Sequence, residues 1–428
     1  MCALRRTCSV KNLKDYTLAD PQVTSCPFGY YKAMRSEDPI HFDEKINTYI
    51  VSRHEDILKA LAQPLVFSSG LGFKTQSRQA FENEVEEYYR SHGLPKLENI
   101  VTSDPPYHTR IRSLMDKAFT AHRVASMEGY IKDVANELID SFVDEGKVDF
   151  VERFAMPFPL FIIADQLGVA RTDFKSFRRW SDATVEPIGR QLSEDRVWWC
   201  AKQTVEMWNY LKEITDARRV APRDDMISDL VHARIDDPEN PELSPMELFQ
   251  VIRGLLVAGN ETTTTAIGNG LLTLTRNPGL IEKLLAALND DKVFSRMTEE
   301  ILRLESPVQG LPRVTTEDTV LSGMPIPKGS LVFLGYASAN RDDAKFDSAD
   351  DFSLERKNVG HHLAFGNGIH RCIGAMLARM EIKVSMRELI RRLDDIKLAV
   401  PEQELTYAPS MVVRALVSLP ITFRRRGS

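Results

Sequence analysis

The sequence is poor in the features that mark several simple functional classes. Cysteine occurs five times in 428 residues (Cys2, Cys8, Cys26, Cys200 and Cys372), an odd and irregular set. Such a set is no disulfide framework and fits a reducing compartment. There is no CxxC pair, so a structural zinc site is not expected. No stretch reaches the roughly 18 uninterrupted apolar residues of a spanning helix. The best run, Phe154 to Ala164, contains Pro157 and Pro159 and stops at Asp165. The basic N-terminus, Met1 to Val10, has no apolar core and does not read as a secretory leader. These absences predict a cytoplasmic protein without a membrane anchor. Positive charge is not in excess: 55 Lys and Arg against 61 Asp and Glu give −6, so nucleic acid is not an expected partner. Glycine and proline, 22 of each, are too few for a collagenous or disordered chain.

What is present is a mainly α pattern with a small β-rich part. The helical period dominates from about residue 104 to 304 and returns over 373–393. Within it, helices are expected over Ala121–Val143, Arg171–Thr184, Glu194–Thr215, Met226–Ile235, Ser244–Leu274, Pro278–Leu288 and Thr298–Leu304. The longest and most apolar of these, Ser244–Leu274, should run through the core. Asp104 should cap a helix opened by Pro105-Pro106. Short strand patterns fall at about 40–55, 310–335 and 405–423. Ser68 to Thr102 reads as a long irregular connection, usually a functional element.

The chemistry is concentrated in Phe365-Gly-Asn-Gly-Ile-His370-Arg-Cys372-Ile-Gly374, followed by Leu377-Ala-Arg-Met-Glu381. Gly366 and Gly368 permit positive φ and close approach to a flat ligand. Cys372 stands just before a helix, where the N-terminal N–H groups favour a thiolate. A lone cysteine is more often a small buried apolar side chain, but a thiolate at the base of a Gly-rich loop suits an iron porphyrin. Two other segments break local rules. Ala258-Gly259-Asn260-Glu261-Thr262 places a helix-weakening glycine, at about 1 kcal/mol relative to alanine, and an acid in an apolar helix. Glu300 and Arg303 stand at i and i+3, on one helix face.

Together these runs resemble the cytochrome P-450 family, whose haem signature the Cys372 segment matches without a gap. The resemblance covers about residues 40–423. It implies a single cytochrome P-450 domain over 1–428, with a long central helix and haem between it and the Cys-loop helix. Cys372 is then the axial thiolate of haem b (iron protoporphyrin IX), with His370 near a propionate and Phe365 beside the sulfur. Gly374 belongs to the same cradle. Ala258 and Gly259 line the oxygen groove, and Glu261 and Thr262 relay protons there. His108, Arg112 and Arg313 face the propionates, and Glu300–Arg303 forms a buried structural pair.

The implied activity is a monooxygenase that hydroxylates a C–H bond of a lipophilic terpenoid, steroid or fatty acid, inserting one atom of O2. Substrate contacts are expected at Leu71, Phe73, Leu255, Ala258, Val308, Leu311, Met411 and Val412, with a lid over Phe177 to Trp208. Electrons would come from an iron–sulfur ferredoxin and its NAD(P)H-dependent reductase, docking around Arg371, Arg110 and Lys117. Alternatives are a peroxide-dependent haem-thiolate enzyme, or a non-enzymatic haem sensor or carrier.

Overall fold

A computed structural model describes residues 12–70, 81–94, 100–169, 173–187 and 192–427. The chain divides into two compact units, one of residues 1–67, 126–159 and 261–428, the other of 68–125 and 160–260.

The first unit is built on a five-stranded sheet in the order Ile40–Asp43, Thr48–Val51, Leu331–Leu334, Leu311–Thr315, Phe67–Ser68. Thr48–Val51 pairs antiparallel with Ile40–Asp43 and parallel with Leu331–Leu334. Alternation decides the packing. Ile50 and Phe333 lie with Tyr30, Tyr31 and Met34 of helix Phe28–Glu37. Val51, Val332 and Leu334 lie instead with Ile57 and Leu61 of helix His54–Leu61. Burial on both faces explains why these strands read as unbroken apolar runs. Gly310 precedes the strand Leu311–Thr315 because any Cβ there would collide with Leu334 O and the Phe333 ring.

A three-stranded sheet joins Lys147–Asp149, Pro420–Arg425 and Leu393–Leu398. The tail expected to be β-rich over 405–423 pairs in part as strand. Its only regular strand is Pro420–Arg425, and the preceding residues pair through isolated bridges, Tyr407↔Leu416 and Val308↔Val413. Pro409 interrupts the segment and has no N–H to give a ladder. The helix expected at Thr298 begins at Asp291, because Asp290 caps it by accepting from Lys292 N–H (2.9 Å) and Val293 N–H (3.3 Å). Ala121–Val143 divides into Ala121–Ser126 and Glu128–Asp140.

The second unit holds helices Glu82–Ser91, Tyr107–Ala118, Phe174–Val185, Glu194–Val220 and Met226–His232. Glu82–Ser91 is a helix inside the stretch expected to be irregular. None of its residues is fully buried, and its apolar stripe is short, the half-buried Val85, Tyr88 and Tyr89 at i, i+3 and i+4 among exposed acids. Asp104 is not the cap of Tyr107–Ala118. Its carboxylate accepts from the Ser68 hydroxyl (2.5 Å) and Ser69 N–H (2.9 Å). An aromatic cluster, Phe177–Trp180 (4.9 Å) and Trp180–Tyr210 (5.0 Å), ties Phe174–Val185 to Glu194–Val220. The long helix Pro245–Thr275 passes from this unit into the first at Asn260–Glu261. Among the described residues no helix is long and apolar enough to cross a membrane. Cys200 and Cys372 are free thiols, whereas Cys26 is disulfide-bonded, against the expectation of five reduced cysteines.

Candidate active site

The Cys372 loop is shaped by its backbone. Cys372 N–H donates to Phe365 O at 2.9 Å, Gly366 N–H to Leu363 O at 2.9 Å and Arg371 N–H to Gly368 O at 3.1 Å. Gly366 and Gly368 take φ +64° and +68°, and a Cβ at Gly368 would lie 2.9 Å from Leu61 O. Only glycine fits both demands at 368. Cys372 is exposed, three residues before helix Ala375–Arg392, and a Cβ on Gly374 would lie 4.0 Å from its sulfur. His370 closes the short 3-10 turn Gly368–His370 and is half-buried.

Phe365 is held from behind. Arg379 lies 4.4 Å over its ring, and the His362 ring stands 5.9 Å away. Both side chains converge on Glu299: Arg379 Nε at 2.6 Å and His362 Nε2 at 3.0 Å. Burial alone would raise the Glu299 pKa, but these two partners outweigh it and hold the carboxyl down at about 2. Glu381, one half-turn further along the same helix, is buried and pushed well above the usual carboxylate range by desolvation. The motif carried Arg379 and Glu381; nothing in the sequence linked Arg379 to Glu299.

The Glu300–Arg303 pair is fully buried, with 0% exposure of both side chains and a 2.7 Å contact. Arg303 also donates to the carbonyls of Asn340 (2.9 Å), Ala349 (2.6 Å) and Asp351 (2.9 Å). Arg356 completes the group, its Nε 2.5 Å from Glu300 Oε1. The pair thus pins the chain just upstream of the Cys loop. Arg356 was missed because its link to Glu300 crosses 56 residues and leaves no periodic signal.

Arg313 is buried at 3% exposure; its Nη1 donates to Pro312 O at 2.7 Å, and it bonds the Tyr336 hydroxyl. No acid among the described residues forms an ion pair with it. The long helix is unbroken through Ala258, Gly259, Glu261 and Thr262. A Cβ on Gly259 would meet nothing within 4 Å. Glu261 and Thr262 belong to the first unit with Cys372, whereas Ala258, Gly259 and Leu255 belong to the second.

His108 and Arg112 also lie in the second unit, on helix Tyr107–Ala118. Burial and then the Arg112 charge pull the His108 pKa below that of a free imidazole. Arg112 Nε contacts Asp116 at 3.0 Å. Of the expected docking cations, Arg371 and Lys117 are exposed. Arg110 is not available. It is ion-paired to Glu247 and donates to the carbonyls of Asn240 (3.3 Å) and Glu242 (3.2 Å). Val308, Leu311 and Met411 are half-buried against the apolar core, Val412 is within it, and Leu255 is buried in the second unit. Leu71 and Phe73 lie outside the described residues.

These groups fit a haem. Among the described residues no three His, Cys, Asp or Glu side chains gather as a metal site. Gly366 and Gly368 would leave the face of a flat ligand free of side chains, and the buried Arg313 guanidinium suits an anionic substituent.

The family model for cytochrome P-450 matches residues 195–414. Cytochrome P-450 107B1 of Saccharopolyspora erythraea is 35% identical over 397 residues, covering 91% of this chain and 93% of that protein. The structure of CYP109Q5 from Chondromyces apiculatus superposes with a TM-score of 0.83 at 33% identity, over 96% of this chain and 98% of that one. CYP109E1 from Bacillus megaterium, solved with testosterone, gives a TM-score of 0.79 at 32% identity, over 92% and 99%.

Proposed function

The chain belongs to the cytochrome P-450 family, with its fold and its oxygen-incorporating oxidoreductase activity, and from that premise we propose which reaction it runs and which residues run it. It hydroxylates a C–H bond of a lipophilic substrate, one domain over 1–428 serving the reaction. Family membership brings haem held by a cysteine thiolate; when bound, that group supplies O2 binding and reductive O–O cleavage. The protein's share is ligation, proton delivery and placement.

Cys372 is the ligand. The observation that carries this reading is its exposed sulfur at the end of a loop whose Gly368 tolerates no side chain. The haem is the non-covalent b type, since the sequence lacks the CxxCH run of covalent attachment. Arg313 pairs with a propionate through its planar fork, and His108, Arg112 and His370 serve the same carboxylates. Phe365, fixed by Arg379, packs beside the sulfur. Glu261 takes a proton at its carboxylate and the Thr262 hydroxyl passes it on. Ala258, Gly259 and Gly374 leave room.

A substrate of steroid, terpenoid or fatty-acid type is supported by the testosterone bound to a relative 32% identical. The candidate lining residues Leu71, Phe73, Leu255, Val308, Leu311, Met411 and Val412 are apolar. Electrons arrive from a separate iron–sulfur ferredoxin and its NAD(P)H-dependent reductase in the cytoplasm, and Arg371 and Lys117 remain as docking cations. Turnover of a bound lipophile should require NAD(P)H, reductase and ferredoxin, and should collapse in Glu261→Gln/Thr262→Val. Peroxide-driven turnover that exceeds it and ignores those substitutions would favour the peroxide-dependent alternative.

A further inference from the structure

The apolar run Val251-Ile-Arg-Gly-Leu-Leu-Val-Ala258 contains one charge, Arg253. Three arginines embedded in the protein have acids: Arg218 contacts Asp225 at 2.5 Å, Arg414 contacts Glu305 at 2.9 Å and Arg303 contacts Glu300 at 2.7 Å. Buried Arg35 and Arg313 lack one among the described residues but donate to carbonyl oxygens, of Ser338 and Pro312. Arg253 forms no such pair among the described residues. Its Nε donates to Thr184 Oγ1 at 3.4 Å, and that hydroxyl spends its own proton on Trp180 O at 2.8 Å. No other hydrogen bond is made by its four remaining N–H groups among the described residues.

The side chain is only half-buried, so solvent reaches it. Even so, protein surrounds the guanidinium closely enough for desolvation to pull its pKa below the ordinary arginine value, with Tyr89 the one titratable group acting on it among the described residues. The guanidinium thus stands at the edge of the protein interior within the second unit, in reach of a solute. Burial raises the Tyr89 pKa, against the pull of a hydrogen bond with Thr204 and of the Arg253 charge, so Tyr89 is a neutral hydroxyl there.

We propose that Arg253 anchors the anionic head, a carboxylate or a phosphate monoester, of an amphipathic substrate, a role that rests on the monooxygenase reading above. An enclosed guanidinium without a counter-charge is costly, and an oxyanion relieves that cost by accepting two parallel N–H bonds. Helix geometry leaves a path for the apolar body. Gly254 would meet nothing within 4 Å if it carried a Cβ, and Ala258, one turn on along the same face, is exposed in mid-helix. Arg253 precedes Ala258 by five residues, roughly 7.5 Å of helix rise. Arg253 leaves the helix about 140° around its axis from Ala258, so the head is held to one side of the candidate oxygen groove and the chain crosses the Gly254 surface to reach it.

The test compares dodecanoate, dodecyl phosphate, methyl dodecanoate and dodecanol on the haem-loaded full chain, with affinity read by the Soret spin change and by tryptophan quenching. At least one anion should bind about tenfold or more tighter than both neutral probes; the tighter anion names the head. In Arg253→Met the ratio should fall to near one with neutral-probe affinity kept. In Arg253→Lys it should fall several-fold, since an ammonium lacks the fork. If Arg253→Met does not fold, the wild-type and Arg253→Lys ratios decide. Equal affinity for all four probes in the wild type, or a preference that survives both substitutions, overturns the anchor while leaving the monooxygenase reading standing. A pigment without sulfur ligation overturns that reading, and the quenching ratio still judges the anchor.

Discussion

Replacing Arg303 with methionine should unfasten the segment that leads into the Cys loop. Arg303 is fully buried and supplies donors to Glu300 and to the carbonyls of Asn340, Ala349 and Asp351. Methionine matches the stem but donates nothing. Three carbonyls left without a donor cost about 1 kcal/mol or more each. Glu300 keeps Arg356, so the loss of its second cation adds less than the 3–5 kcal/mol of a fully orphaned charge. A total of about 4 kcal/mol is a large part of the stability of an ordinary domain. The assay is amide hydrogen exchange over residues 340–356, which reads local opening without requiring a two-state transition of the whole chain. Exchange there should quicken by about three orders of magnitude, and haem retention should fall with it. Glu300→Gln should be at least as damaging, because it leaves Arg303 and Arg356 buried without an anion. Protection within about tenfold of wild type in Arg303→Met would refute the reasoning.

Gly259→Ala should separate stability from function: with nothing within 4 Å of the new Cβ, the long helix should gain about 1 kcal/mol, seen as a higher urea midpoint. Coupling of NAD(P)H oxidation to product should nevertheless drop, and unchanged coupling would remove Gly259 from the oxygen groove. Glu299→Gln should lower stability at pH 7 by at most about 3 kcal/mol. The native carboxyl is held at about 2 against an ordinary 4.5, so its contribution is whole above 4.5 and is lost as pH falls toward 2. The urea-midpoint gap between wild type and variant should therefore narrow over that window, and a gap that stays constant would rule out the His362–Glu299–Arg379 linkage as its source.

The parts legible in the sequence were those carried by local pattern. The long helix was placed to within a residue at each end, Pro245–Thr275 against Ser244–Leu274, since its apolar period is sustained. The turn at Gly366–Gly368 was legible because glycine takes the positive φ observed there without strain. Long-range pairing was not legible. Arg356 joins Glu300, Arg379 joins Glu299, and Arg110 is diverted to Glu247, all through contacts that no spacing encodes. Asp104 followed every rule for a helix cap, yet Ser68 and Ser69 claim its carboxylate. The tail was legible only in part. Its residues favour strands, but Pro409 and the isolated bridges leave little ladder before Pro420.

The central claim is a bond between one sulfur and iron. X-ray absorption at the iron edge of the purified, pigmented protein reads it directly. The account predicts a single sulfur neighbour in the wild type, replaced by oxygen in Cys372→Ser with Cys200 untouched. A first shell of nitrogen and oxygen alone in the wild type, or a sulfur neighbour that persists in Cys372→Ser, would contradict it.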